Sequence, residues 1–220
     1  MKRKNMMSKP KIEQPKLTPN LEEVKFDAIY LEEEPQLMEC RVCDEQVDGT
    51  EVDKAYLSKV GFKNVSFTSS KFHHIDLTDA IFESCNLSNA SFNKGIINRV
   101  IFRDCKLLGV DFSECNLGNV CFENCDVNLS SFADARLKQV SFDHSSLRSA
   151  NYYGCKLTKV YFNDTDINDV DFTQTSLKGI DLSTCTYERI NVTFPSLQGC
   201  EVSPEQAIGF SKLLGLKVKS

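Results

Sequence analysis

The sequence predicts an all-β solenoid: a quadrilateral parallel β-helix closed by a short C-terminal α-helix. The first observation is a strict period of five. From Leu37 to Val202, 34 successive positions ending in 2 or 7 are Leu, Phe, Ile, Val or Tyr. An α-helix repeats every 3.6 residues and a strand every 2, so neither generates this beat, whereas stacked short repeats do. The second observation is an overtone of twenty. Positions 62, 82, 102, 122, 142 and 162 are Phe, as are 72, 92, 112, 132 and 172. Positions 57, 77, 117, 137, 157, 177 and 197 are Leu. Four repeats per coil is the simplest geometry that makes both periods regular.

Within each repeat the order is small, polar, large apolar, polar, polar, as in Cys115-Asn116-Leu117-Gly118-Asn119. The small and large residues, two apart, point to one face of an extended segment. The polar pair supplies a corner. Residues 37–202 thus make 8.5 coils of 20 residues, roughly 40 Å at the usual spacing of stacked strands. Of the 15 Phe, 12 are central, which predicts an aromatic stack through the rod.

Both ends depart from the beat. Residues 1–20 carry six Lys or Arg against Glu13, are interrupted by Pro, and read as a disordered basic segment. This stretch has no apolar core of the kind a secretion signal needs, and no run of the chain is long and apolar enough to span a membrane. Residues 21–36 hold the couplets Val24/Phe26 and Ile29/Leu31 one residue out of register, an irregular first coil or cap. At 203–220, Ser203-Pro204-Glu205-Gln206 is a helix start, followed by Ala207, Phe210, Leu213 and Leu214 on one face and Leu216 in a tail. This apolar face packs on the last coil, on a second molecule, or on both.

The ten cysteines follow the repeat. Eight of them, all but Cys43 and Cys121, stand two residues before a central position, where they fill a small inward site. Reduced thiols in a cytoplasmic protein are expected from this placement. His73, His74 and His144 have no third ligand at metal spacing, so no metal and no cofactor are expected. No nucleophile elbow, phosphate loop or dinucleotide fingerprint occurs. Parallel carboxylates such as Asp164 and Asp166 suggest a polysaccharide-cleaving β-helix, but a register without inserted loops offers no cleft. The chain is read as non-enzymatic.

Charge segregates by face. The column through Phe62 and Phe162 holds Asp44, Glu83, Asp104, Glu123, Asp143, Asp164, Asp181 and Glu201 against Arg41, Lys63 and Arg103, a net of −5. The column through Leu57 and Leu197 holds Lys59, Arg99, Arg136, Lys138, Lys156, Lys159 and Lys178 against Asp76 and Asp79, a net of +5. The mild overall charge of −5 argues against direct nucleic-acid binding. Over residues 37–202, 23 acids stand against 16 bases. The acids alone fall at about the linear charge density of duplex DNA, but the net charge is much sparser. Duplex mimicry therefore fits the acidic faces rather than the whole rod.

The repeat resembles the pentapeptide-repeat family, whose pattern is roughly Ala-Asp/Asn-Leu/Phe-x-x. The resemblance implies a right-handed quadrilateral β-helix. With the short helix and apolar tail from Pro204 to Val218, the chain is similar to the quinolone-resistance (Qnr) members, and in lacking loops to those of Gram-positive bacteria and mycobacteria. Such proteins are homodimers joined at their C-terminal ends. They bind the type II topoisomerases DNA gyrase and topoisomerase IV and relieve fluoroquinolone inhibition. The resemblance thus implies partner binding through the acidic residues Glu83, Asp104, Glu123, Asp143 and Asp164. It also implies a cap or dimer contact through Phe210, Leu213, Leu214 and Leu216. The missing loops leave open whether such a protein protects gyrase or only inhibits it. A non-catalytic scaffold for a different partner is the alternative.

Overall fold

A computed structural model describes residues 11–218. The coils stack in the predicted register of twenty. Among the described residues eleven strands are formed: β1 (Glu22–Glu23), β2 (Gln36–Met38), β3 (Cys40–Cys43), β4 (Glu51–Asp53), β5 (Tyr56–Lys63), β6 (Lys71–His73), β7 (Asp76–Glu83), β8 (Ile96–Arg103), β9 (Asn116–Glu123), β10 (Arg136–Asp143) and β11 (Lys156–Asn163). The principal sheet runs β1-β3-β5-β7-β8-β9-β10-β11, with β2 also on β5, and every pairing in it is parallel. From β2 onward, paired residues differ by twenty, as in Phe82 on Phe102 and Phe102 on Phe122. The isolated bridges keep that spacing from Gln46–Ser66 to Asp181–Glu201. No loop is inserted, and the solenoid has about seven turns. That is fewer than the 8.5 coils expected: the last coil has no strand in the principal sheet and is held by isolated bridges and by hydrogen bonds such as the Leu177 amide to the Ser196 carbonyl (2.8 Å).

The four sides are not equivalent. The Leu57 and Phe62 sides merge into single eight-residue strands bent at Lys59, whose φ is +56°. Apart from the short parallel pair β4–β6, the other two sides are a single bridge followed by a turn, as at Leu87-Ser88-Asn89-Ala90. There the Ala90 amide donates to the Leu87 carbonyl (3.0 Å) and Asn89 has φ +56°. That is the positive φ a type II turn needs at its third residue. All four corners solve the same problem, and they do so with mainly non-glycine residues.

Two aromatic columns fill the axis. Phe62, Phe82, Phe102, Phe122, Phe142 and Phe162 stack with ring centroids 4.7–5.3 Å apart. The column from Phe72 to Phe172, with Tyr152 in it, lies edge-on to the first, for example Phe122–Phe132 at 6.3 Å and 88°. Both arrangements suit the ring quadrupole. The inward cysteines are free thiols and have a second role. Cys105 donates to the Phe82 carbonyl (3.4 Å), and Ser145 and Thr165 do the same for Phe122 and Phe142. On other rungs the slot holds Ala or Val, such as Ala80 and Val100, so its constant demand is small size and the hydrogen bond is added where Cys, Ser or Thr stands there. Burial pushes the thiols of Cys115, Cys155 and Cys185 up to about 12, which keeps them protonated.

The N-terminal end is plugged by a 3-10 turn, Phe26–Tyr30. Phe26 and Ile29 are buried, and Phe26 meets Phe67 edge-on at 5.3 Å. Ile29 and Leu31 do not form an inward couplet: the chain is helical there, and Leu31 is 80 % exposed. At the C-terminal end α1 (Pro204–Phe210) begins with the expected capping box. Ser203 Oγ accepts from the Gln206 amide, and Gln206 Oε1 accepts from the Ser203 amide. Gln206 Nε2 then donates to the Leu182 and Cys185 carbonyls (2.9 and 3.0 Å), which stitches the helix onto the last coil.

Two substitutions test the core. The Tyr152 hydroxyl is buried without a hydrogen-bond partner among the described residues. Tyr152→Phe removes that desolvated group and is expected to stabilise the rod by about 1 kcal/mol; a lower melting temperature would count against the assignment. Phe122→Asp places a carboxylate in the middle of the stack, and circular dichroism is expected to show loss of the fold.

Candidate functional site

The five acidic residues singled out from sequence lie on one side of the rod, in two neighbouring ladders. The outward residues after the Phe column run Lys63, Glu83, Arg103, Glu123, Asp143 and Asn163, each paired with the next. Glu83, Glu123 and Asp143 thus share one ladder. Asp104 and Asp164 stand in the adjoining corner ladder, at φ +53° and +46°.

The two halves of this side differ. In the N-terminal half the carboxylates are countered: Glu83 faces Lys63 at 3.9 Å, and Glu123 accepts from Arg103 at 2.8 Å. Asp104 accepts from Asn124 (3.2 Å) and Asp143 from Ser141 (2.8 Å). Toward the C-terminal end Asp143, Asp164, Asp181 and Glu201 follow with no Lys or Arg in this column of the repeat, and among the described residues His144 approaches Asp164, at 3.8 Å. The acidic character is therefore concentrated in the C-terminal half.

A feature that the sequence reading missed crosses the same side. Where a disordered segment is expected, residues 1–10 lie outside the described residues, but residues 11–21 run extended against the rod. The Lys11 carbonyl accepts from Gln139 Nε2 (3.0 Å), the Glu13 amide donates to Asn119 Oδ1 (3.1 Å) and the Lys16 amide donates to Asp79 Oδ1 (2.9 Å). Leu21 reaches Gly61. This strap climbs from the Gln139 rung toward the N-terminal end. Ile12, Pro15, Leu17 and Leu21 are half-buried. Its Ile12 and Gln14 line one groove with Cys121 and Ser141; these two and Ile101 each point away from the axis between two inward neighbours, yet all are buried. The signal for it is an apolar run, Ile81, Ile101 and Cys121, in a slot that elsewhere is polar.

The strap is anchored by the most enclosed ion pair among the described residues. Asp79 accepts from Arg99 Nε (2.6 Å) and Nη2 (2.8 Å), and its side chain is 7 % exposed. The Arg99 hydrogen bonds hold the Asp79 carboxyl below its usual range against the opposing effect of burial, and the Lys16 amide adds to them.

The C-terminal candidates are divided. Phe210 is half-buried against Tyr187, with ring centroids 6.0 Å apart. Leu213 and Leu216 are 46 % and 57 % exposed, with Ile208 and Val218 also exposed beside them. The side chain of Leu214 lies outside the description. No group of His, Cys, Asp and Glu among the described residues is arranged to hold a metal. No helix among them is long and apolar enough to cross a membrane.

The family model described as "Pentapeptide repeat region" matches residues 75–152 and 96–172. The protein YisX of Bacillus subtilis (strain 168), itself uncharacterized, is 37 % identical over 213 residues, which cover 95 % of this chain and 98 % of that protein. Among solved structures, QnrB1, a plasmid-mediated fluoroquinolone resistance protein, aligns with 84 % of this chain and 99 % of its own at 18 % identity and a TM-score of 0.43. HetL, a pentapeptide repeat protein of heterocyst differentiation regulation from Nostoc sp. strain PCC 7120, aligns with 76 % and 86 % at 15 % identity and a TM-score of 0.37.

The anchor makes the strap pH-dependent. A carboxyl with a lowered folded pKa contributes stability above its unfolded value, near 3.8, and loses it as pH falls through the folded value. Hydrogen-exchange protection at the Lys16 amide is expected to hold from pH 7 to pH 5 and to fall below about pH 4. Asp79→Asn is expected to weaken the anchor by about 1–3 kcal/mol and to speed exchange at Lys16 at pH 7; unchanged exchange there would refute the contact.

Proposed function

Because the chain belongs to the pentapeptide-repeat family, we propose that it is a non-catalytic interaction rod whose acidic side imitates the phosphate track of duplex DNA. Its partners on this reading are the type II topoisomerases DNA gyrase and topoisomerase IV, and its effect is to relieve their inhibition by fluoroquinolones. The observation that carries the proposal is the loop-free stripe of Glu123, Asp143, Asp164, Asp181 and Glu201, displayed on rungs without an intervening Lys or Arg. Stacked rungs about 4.8 Å apart set carboxylates at a spacing of the same order as the phosphates of one duplex strand, about 3.4 Å. A rigid display of carboxylates also supports fast, salt-sensitive encounter with a basic DNA-binding channel.

Glu83 and Asp104 contribute less on this reading, since their half of the stripe is shared with Lys63 and Arg103. We further propose that Leu213 and Leu216, with Phe210 behind them and Leu214 beside them in sequence, join two rods end to end. The exposed apolar cluster at the tail supports this. A cytoplasmic location accords with the partners proposed.

The decisive experiment is gyrase supercoiling titrated with the protein, with and without ciprofloxacin. The triple variant Glu123→Lys, Asp143→Lys, Asp164→Lys is expected to need at least tenfold more protein for the same protection, a loss of about 1.4 kcal/mol or more in binding. Equal protection by a folded triple variant would dismiss the acidic stripe. No effect of the native protein on either enzyme would leave a scaffold for another partner. In sedimentation, Leu213→Arg with Leu216→Arg is expected to convert a dimer to a monomer; an unchanged dimer would move the contact elsewhere.

A further inference from the structure

We propose that the track beneath residues 11–21 and the acidic groove continuing from it form one binding site for an extended peptide of a partner protein. The strap is its resident intramolecular occupant. This inference stands apart from the topoisomerase reading, because it rests on the strap and its seat.

The seat recognises backbone. Asn119, Gln139 and Asp79 sit at bends of one corner, with Arg99 at the bend between Asp79 and Asn119, and present side chains to the Glu13 amide, the Lys11 carbonyl and the Lys16 amide. Such contacts accept an extended chain of many sequences, while selectivity comes from what the side chains meet. Beside the strap lies an apolar floor, Ile101 and Cys121, outward yet buried and outside the aromatic core, and Cys121 shares a groove with Ile12 and Gln14. Pro15 and Pro19 keep the occupant extended and lower the entropy cost of seating it.

The track does not end where the described strap ends. Beyond Lys11 it opens into a groove of about 980 Å³ bordered by Ile12 and Gln14. Among the described residues its lining includes Ser141, Tyr161 and His144 with Glu123, Asp143, Asp181 and Glu201, and no Lys or Arg. Charge complementarity fixes the occupant: a segment running in the strap's direction, basic over the groove and apolar where the strap has Ile12, Pro15 and Leu17. The strap is held by few hydrogen bonds and forms no strand pairing before Glu22. As a tethered competitor it acts at an effective concentration in the millimolar range, so strap release would gate partner entry.

The test uses the full chain. In Ile12→Asp with Leu17→Asp the strap loses its apolar contacts while the rod is untouched. The probe is a fluorescein-labelled peptide with the sequence of residues 11–21 preceded by Lys-Arg-Lys. It is expected to bind the strap variant at least tenfold more tightly than the native chain and to weaken as salt rises. Adding Ile101→Asp to the variant is expected to abolish binding, and adding Asp181→Lys with Glu201→Lys to remove the salt dependence. Alkylation of Cys121, followed by mass spectrometry, is expected to be at least tenfold faster in the strap variant. Equal binding to native and strap-variant proteins, or no binding to a strap variant whose Cys121 has become reactive, would overturn the proposal. Unchanged Cys121 reactivity would overturn it as well, by showing that the strap does not cover the track. Should Ile101→Asp fail to fold, Tyr161→Ala in its place must weaken binding at least threefold, and no change would count against the site.

Discussion

Everything in this molecule depends on closing each turn in twenty residues. A parallel ladder satisfies backbone groups only if the next turn lies directly above, and here the amide of residue i donates to the carbonyl of residue i+19 at corner after corner. Asn64 to Glu83, Ser84 to Arg103 and Asp104 to Glu123 show it, at 2.9–3.0 Å. One inserted residue would shift each following side chain to the other face of its strand. The aromatic stack enforces the same register from inside, since a Phe ring prefers another ring at its face to an aliphatic neighbour.

The ladder also explains how the corners tolerate their geometry. Twenty-five non-glycine residues, all at positions ending in 4 or 9, adopt positive φ. Each costs on the order of 1–2 kcal/mol relative to a right-handed conformation. The structure carries this strain because the corner amide is bonded to the next rung and the small residue that follows is buried, often with a hydroxyl or thiol on the carbonyl of the preceding turn. Since glycine is not required, the corner slot is free to carry Asp, Lys, Arg, His or Asn. The surface chemistry of the rod is therefore written largely at its bends, and Asp104, Asp164, Asp79 and Arg99 all occupy that slot.

Sequence alone reveals what the ladder repeats and little of what happens once. The Phe and Leu columns are legible because each rung must match the one above, and the capping box at Ser203 is legible because its two hydrogen bonds demand two residue types at fixed spacing. The ladder membership of Glu83, Glu123 and Asp143 follows from the same twenty-residue arithmetic. The plug at Phe26 is only half legible: its apolar content is visible, but the 3-10 turn that exposes Leu31 has no periodic signature. The strap is invisible to periodicity, because Glu13 and Lys16 are held through their backbone amides and any residue but Pro supplies one. Its trace is in the receptor, where Ile101 and Cys121 occupy an outward slot.

The strap changes what a charged rod offers to a partner. By following the corner from Gln139 to Asp79, it lies between the basic and acidic sides and narrows the acidic side over the N-terminal turns, where Lys63 and Arg103 already counter the carboxylates. Below the Gln139 rung neither limit applies. There Asp143, Asp164, Asp181 and Glu201 face one way. Arg136, Lys138, Lys156, Lys159 and Lys178, exposed and unpaired with any described residue, face another. The exposed leucines of the C-terminal tail close that same end. A repeat that is nearly uniform inside thus yields a rod polarised outside, with its unsatisfied charge and apolar surface gathered in the C-terminal half. A partner that reads charge would approach there, because the N-terminal half has already met its own needs internally.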